Sequence, residues 1–332
     1  MPQLKMTRIF PPVFCDNSSH KASRVDRLCA QPHNLFMQPP APPRIFDRDL
    51  LRWRLERARG KAPVTFLLDR AVEDMTDRLS AVLRPFPRVL DLGTPTPLLA
   101  SALTANPERA ITRLAPLPEA AAPGWTSVIG DVENMPFAPA SFDLIVSALA
   151  LQSVNDLPGA LIQARRALAP DGLLMACLFG GQTLNELRTA FAIAEEERTG
   201  GVSPRVAPFA DVRDLGALLQ RAGFALPVTD VDSVMVRYPN MFALMADLRA
   251  MGATNPLTER LRRPATRGLL MRAAQIYLEK FGDTDGRIRA TFEIVWLLGW
   301  APHESQQKPL APGSAKMRLA DALGAKEQKL GE

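Results

Sequence analysis

The sequence predicts an α/β fold: a mostly parallel, seven-stranded sheet with helices on both faces. Two observations carry this reading. Short apolar runs of strand length alternate with amphipathic stretches of about 10 to 15 residues, the pattern of right-handed strand–helix–strand units. The first such run ends in Asp91-Leu92-Gly93 before a helix. An acidic strand end followed by a glycine turn belongs to sheets that hold a small ligand outside their carboxyl ends.

Residues 1–43 contain eight prolines, with five basic side chains against two acidic ones. They lack the apolar stretch of a secretory signal and read as a disordered extension. It is either a mitochondrial leader or the product of a start upstream of Met37. The second is favoured, because Pro39–Pro43 would break a targeting helix. The chain carries a formal charge of +5, concentrated in this extension. No basic patch interleaved with aromatic residues accompanies it, which argues against nucleic acid as a partner.

Arg44–Lys61 reads as a basic amphipathic helix with Phe46, Leu50 and Trp53 on one face. Its arginines form a solvated face, an arm over an active site or a docking surface for an acidic partner. Val64–Leu83 reads as a second helix, with Leu67, Leu68, Ala71, Met75 and Leu79 apolar and Pro85 and Pro87 ending it. These two helices make up residues 44–84.

The sheet domain spans residues 85–300. Its strands are expected at Arg88–Leu92, Arg109–Leu114, Thr126–Ile129, Phe142–Ala148, Leu173–Phe179, Val228–Tyr238 and Thr291–Leu298. Helices are expected from Thr96 or Pro97 to Ala105, and at Asp156–Leu168, Leu184–Arg198 and Ala210–Ala222. Thr96 would be the N-cap and Pro97 the first helical residue. Pro170-Asp171-Gly172 reads as a tight turn, a helical insertion fills residues 239–285, and residues 301–332 form a tail. No apolar run reaches the roughly 18 to 20 residues needed to cross a bilayer. Cys15, Cys29 and Cys177 show no CxxC spacing and read as free thiols of a reducing compartment.

The segment Val89-Leu90-Asp91-Leu92-Gly93-Thr94-Pro95-Thr96-Pro97 resembles the first motif of S-adenosylmethionine (SAM) dependent methyltransferases. Asp91 and Gly93 match that motif, and Pro95 and Pro97 stand where it has glycines. Proline forbids positive φ and removes an N–H, so the loop loses two donors near the methionine end of a bound SAM. The end of the second predicted strand offers no carboxylate for ribose hydroxyls until Glu119. Gly130-Asp131-Val132 resembles the adenine-contacting segment of the same superfamily. Met135-Pro136-Phe137 and Ser141-Phe142-Asp143-Leu144 resemble the stretch that leads into its fourth strand. The fold implied is the Rossmann-like class I methyltransferase fold. The cofactor implied is SAM, with Asp91, Gly93, Thr94, Asp131, Val132, Ser147 and Ala148 as its candidate contacts.

A narrower resemblance covers roughly 270 residues, from Ile45-Phe46-Asp47-Arg48 to Ser314. It is carried by Val154-Asn155-Asp156-Leu157-Pro158, Phe179-Gly180-Gly181-Gln182-Thr183-Leu184, Gly201-Val202-Ser203-Pro204, Met251-Gly252-Ala253-Thr254-Asn255 and Gly299-Trp300-Ala301-Pro302-His303-Glu304-Ser305-Gln306. Asp214–Leu219 and Arg221–Phe224 add to it. These stretches resemble the methyltransferase-like assembly factors of respiratory complex I. In mitochondria that family includes the arginine hydroxylase that modifies the iron–sulfur subunit nearest the quinone site. A more distant resemblance is to the malonyl-carrier-protein methyltransferase of biotin synthesis. The family often has His-Trp before Val-Asn-Asp, where this chain has Gln152-Ser153.

The resemblance implies an enzyme that acts on a protein substrate, a complex I iron–sulfur subunit. Its place would be a bacterial cytoplasm or a mitochondrial matrix, where peripheral membrane contact is compatible with the sequence. A non-catalytic assembly chaperone and a small-molecule or acyl-carrier O-methyltransferase stay open beside it. No Ser-His-Asp set, P-loop or zinc spacing occurs. With only His20, His33 and His303, a facial iron triad of two histidines and a carboxylate is not expected, and no metal site is assigned. The catalytic residue is not assigned either. Gln152, His303 and Glu304 are candidates for the substrate pocket.

Overall fold

A computed structural model describes residues 44–61, 63–120 and 122–307. The extension 1–43, with Cys15 and Cys29, and the tail from residue 308 lie outside the described residues. Seven strands form one sheet: β1 (Arg88–Leu92), β2 (Ala110–Ala115), β3 (Trp125–Ile129), β4 (Phe142–Ala148), β5 (Leu168–Phe179), β6 (Ala225–Tyr238) and β7 (Ile288–Trp300). Their spatial order is β3-β2-β1-β4-β5-β7-β6. β1 to β5 pair in parallel, and β7 is antiparallel to both β5 and β6. The fold is the Rossmann-like methyltransferase fold, with the order reversing between β1 and β4. In sheets of this kind a ligand sits at that switch, outside the carboxyl ends.

The helices are α1 (Arg48–Arg59), α2 (Phe66–Ser80), α3 (Leu98–Leu103), α4 (Leu157–Ala167), α5 (Asn185–Thr199), α6 (Val212–Arg221), α7 (Met241–Ala250) and α8 (Arg267–Phe281). Side chains alternate across a strand, and the two cores show it. On β5, Leu173, Met175 and Cys177 face α2, α3, α5, α7 and α8. Leu174, Ala176 and Leu178 face α4 and α6 on the other side. Both faces are therefore covered, and the central strands read as continuous apolar runs.

The boundaries differ from expectation where a local contact decides them. Asp47, not Arg44, caps α1, its carboxylate accepting from the Leu50 N–H at 3.0 Å. Phe46 stays outside the helix and bridges to Leu257. The stripe expected through Phe46, Leu50 and Trp53 therefore does not form. Trp53 is exposed, with the Arg57 guanidinium 4.7 Å above its ring. α3 opens at Leu98, with Pro97 as its cap residue and Thr96 accepting from the Leu98 N–H at 3.5 Å. Pro170-Asp171-Gly172 is not a turn ahead of the fifth strand but lies within it. Asp171 takes a φ of +63° inside β5, where the register against β4 shifts. The insertion consists of α7, α8 and the loop joining them. No helix among the described residues is long and apolar enough to cross a membrane.

Candidate functional site

A cavity of about 810 Å³ opens at the carboxyl ends of the parallel strands. Its floor is made by the loops after β1 (Gly93, Pro95, Thr96, Pro97), β2 (Pro116, Leu117, Glu119), β3 (Gly130, Val132) and β4 (Leu149, Ala150, Gln152). One face of α1 covers it, through Arg48, Leu51, Arg54, Leu55 and Ala58. The far wall comes from the Pro204–Phe209 stretch and from α7 with the loop that follows it.

Gly93 is the pivot of the first loop. Its φ is +73°, and a Cβ there would lie 2.6 Å from Val132 Cγ1. Only glycine meets both demands. Its N–H donates to the Leu114 carbonyl at 3.0 Å, which fastens the loop to β2.

Asp91 does not reach the cavity. The parallel register sets it beside Arg113, and Arg113 Nη1 donates to Asp91 Oδ2 at 2.5 Å, both side chains wholly buried. Arg113 Nη2 also donates to the Thr94 carbonyl at 2.6 Å and to Glu119 Oε1 at 2.9 Å. Burial opposes the guanidinium charge. The hydrogen bonds and charges of Glu119 and Asp91 outweigh it and hold Arg113 above the ordinary arginine value. Ser147 Oγ donates to the Leu92 carbonyl at 2.7 Å, and the Ala148 N–H donates to Thr94 Oγ1 at 3.2 Å. Of the expected cofactor contacts, Asp91, Thr94, Ser147 and Ala148 are thus buried behind the wall. They shape the Gly93 loop from beneath instead of lining the cavity.

Gly93 and Val132 do line it. Asp131 sits beside Val132 but turns toward α1, where Arg48 Nη2 donates to its Oδ1 at 2.6 Å. Arg48 also donates to the Ser153 carbonyl at 2.9 Å, so α1 is tied to the loops after β3 and β4. Gln152 is on the wall. Its Nε2 donates to the Leu149 carbonyl at 2.7 Å, and its Oε1 is buried without a partner.

His303 and Glu304 lie at the opposite end of the sheet. Because β7 runs antiparallel to β5, the end of β7 pairs with the start of β5. The segment after it folds over Asp171, to which Gln306 donates at 2.9 Å. His303 and Glu304 are exposed there, and His303 Nδ1 stands 2.7 Å from Ser305 Oγ. They are not part of the cavity.

The carboxylate at the end of β2 was the feature missing from the sequence pattern. Glu119 supplies it from the following loop. It lines the cavity, is held in place by Arg113 and accepts from Ser127 Oγ at 3.4 Å. The sequence signal was Arg113 itself, a charged residue in a strand otherwise buried. Among the described residues, no three His, Cys, Asp or Glu side chains gather as a metal-holding group.

Residues 90–176 match the methyltransferase domain family. The mitochondrial arginine-hydroxylase NDUFAF5 of Homo sapiens is 40% identical over 287 residues, covering 83% of this chain and 83% of that protein. The chain belongs to the NDUFAF5 family. A malonyl-[acyl-carrier protein] O-methyltransferase of Laribacter hongkongensis is 36% identical over 291 residues, covering 80% of this chain and 94% of its own. Among solved structures, the YcgJ protein of Bacillus subtilis aligns over 70% of this chain and 99% of its own, at 17% identity and a TM-score of 0.47. In this NDUFAF5-family chain, four of the stretches that carry the family resemblance, those around Phe46, Asn155, Pro204 and Asn255, meet over the cavity. Asn155 and Phe46 exchange hydrogen bonds, Phe46 N–H to Oδ1 at 2.7 Å and Nδ2 to the Phe46 carbonyl at 3.2 Å. The Asp47 N–H donates to the Pro256 carbonyl at 2.8 Å, and Asn255 Nδ2 to the Pro204 carbonyl at 2.6 Å.

Proposed function

We propose that this protein binds SAM in the cavity and modifies a protein substrate, an iron–sulfur subunit of respiratory complex I, during assembly of that complex. The observation that carries the reading is that Gly93 and Glu119 both line the cavity at the topological switch of the sheet. The residues fit the adenosine half of SAM. Gly93 lets a ligand approach the backbone, Val132 offers an apolar side, and the Glu119 carboxylate can accept from two hydroxyls. Arg113 keeps that carboxylate oriented. The methionine half has fewer donors, because Pro95 and Pro97 have no N–H. When bound, SAM would supply an electrophilic methyl group on its sulfonium. The chain's own contribution is positioning and exclusion of water under α1.

The name of the human relative points to an arginine side chain as the group modified, and to the mitochondrion as its setting. We place this protein correspondingly in a mitochondrial matrix or a bacterial cytoplasm.

Calorimetric titration of SAM into the full chain tests the cofactor assignment. Micromolar binding, weakened about tenfold by Glu119→Gln, supports it. No binding up to millimolar SAM overturns it. A second reading, an assembly chaperone without SAM, is favoured by Pro95 and Pro97. It gains if Pro95→Gly with Pro97→Gly creates an affinity for SAM that the natural protein lacks. Deleting the gene tests the substrate, since unchanged complex I assembly would sink this part of the proposal.

A further inference from the structure

The cavity wall is strongly unbalanced in charge. Among the described residues it carries six arginines (Arg48, Arg54, Arg59, Arg205, Arg249 and Arg260) against a single acid, Glu119, which Arg113 already neutralises. Three of the six have carboxylate partners: Arg48 with Asp131, Arg205 with Glu195, and Arg260 with Asp47 at 3.1 Å. Arg54 has none. It is half-buried, and Nη1 donates to the carbonyl oxygens of Thr254, at 2.8 Å, and of Asn255. Its charged neighbours are Arg260 and Arg57, and the one acid in reach among the described residues, Asp47, is committed to Arg260 and to capping α1. Burial and these like charges disfavour its ionised form.

Arg249 completes the group. It ends α7 on the same wall and forms no ion pair among the described residues. Its carbonyl accepts from the Gly252 N–H at 3.2 Å. Gly252 in turn abuts α1, where a Cβ on it would lie 3.5 Å from the Arg54 carbonyl oxygen. The two guanidinium-bearing segments are therefore packed together across the α1–α7 contact.

A partly buried charge is normally paired. A planar guanidinium fork fits the two oxygens of a carboxylate or phosphate. We propose that Arg54 and Arg249, backed by Arg260, form an oxyanion subsite at the α7 end of the cavity. It would take a carboxylate or phosphate group of a second occupant distinct from SAM. The inference rests on the reading that this cavity is the working site, and it does not require that SAM binds.

The test is titration of inorganic phosphate and of succinate into the full chain at low ionic strength, with and without SAM. The expected result is saturable binding of at least one anion that weakens with added salt. Arg54→Met and Arg249→Met should each lower that affinity about tenfold, and the anion affinity should fall further than any accompanying change in SAM affinity. Tighter phosphate would assign the group as a phosphate, and tighter succinate as a carboxylate. Arg54 also holds the Thr254–Asn255 carbonyls, so Arg54→Met also loosens the loop after α7; the exposed Arg249 keeps the proposal testable. Three results overturn it: neither anion binds the natural protein, both variants bind as the natural protein does, or SAM displaces the anion competitively. Anion binding without SAM binding would sink the cofactor assignment and leave this subsite standing. SAM binding without anion binding would do the reverse.

Discussion

Arg113 of β2 and Asp91 of β1 stand side by side in the parallel register and form an ion pair that reaches no solvent. The same guanidinium holds Glu119 on the cavity wall and the carbonyl of Thr94 in the first loop. One residue thus couples the sheet interior to two parts of the candidate cofactor site. Replacing it with methionine leaves Asp91 buried without its guanidinium partner, where burial already pushes its carboxyl above the ordinary aspartate range. Removing one member of such a pair costs about 3 to 5 kcal/mol, more than the pair itself contributes. Arg113→Met should therefore lower the stability from chemical denaturation by that amount. Arg113→Met with Asp91→Leu should recover the part due to Asp91, while Glu119 stays without its cation on the cavity wall. A double variant as unstable as the single one would show that the pair's geometry, not its charge, matters.

Gly93→Ala tests the close approach at the same loop. The new Cβ would meet Val132 Cγ1 at 2.6 Å on a backbone with φ of +73°. A non-glycine residue in the left-handed region costs about 1 to 2 kcal/mol. Stability should fall by about that much, measured by denaturant midpoint. SAM affinity should fall further than stability accounts for, because the wall moves with the side chain. Full affinity in Gly93→Ala would remove Gly93 from the site.

Much of the fold was legible in the sequence. β1 and β4 occupy the residues expected, since buried parallel strands are short apolar runs and Pro87 and Ser141 bound them. The site was legible only where it depends on neighbours in the chain. Gly93 needs a positive φ for its own turn, and that shows in the local pattern. The burial of Asp91 is decided by Arg113, 22 residues later, through a register that no local pattern encodes. The exclusion of His303 depends on the direction of β7, and apolar alternation is the same for parallel and antiparallel strands. Trp53 left the expected stripe because Asp47 caps α1 after Phe46 and not before it. The orphan charge of Arg54 follows from tertiary contacts with residues about 200 positions away, read as Thr254 and Asn255.

Acid should loosen the wall at Glu195. This buried carboxylate accepts from the Ser203 N–H at 2.7 Å and from Arg205 Nε at 2.7 Å, which anchors the stretch carrying Pro204 and Arg205. Burial raises its pKa, but the Ser203 and Arg205 contacts outweigh burial and hold it below the ordinary glutamate value. The folded carboxyl therefore binds a proton less readily than the unfolded one. Its stabilisation is present above the ordinary value of about 4.3 and is lost as pH falls through the lowered folded value. At pH 7, Glu195→Gln should be destabilised by about 1 to 3 kcal/mol. The gap to the natural protein should close as the pH drops below about 4. A gap that stays constant from neutral pH into acid would show that the carboxylate charge contributes nothing there.

Asn155 joins the roof to the floor. Its amide accepts from the Phe46 N–H and donates to the Phe46 carbonyl, and its own N–H donates to Glu133 at 2.6 Å. Phe46 is buried against Leu257 and Ala207, so these bonds fix where the chain enters α1. Asn155→Ala removes both side-chain bonds and leaves two half-buried backbone groups of Phe46 unsatisfied. The expected loss is about 1 to 3 kcal/mol, concentrated at α1 because the sheet does not depend on Phe46. Amide hydrogen exchange should rise in residues 46–59 and stay unchanged in β4 and β5. If SAM binding needs α1 closed over the cavity, affinity should fall in proportion to that opening. Uniform exchange across α1, β4 and β5 would place Asn155 in the global fold and not in the roof.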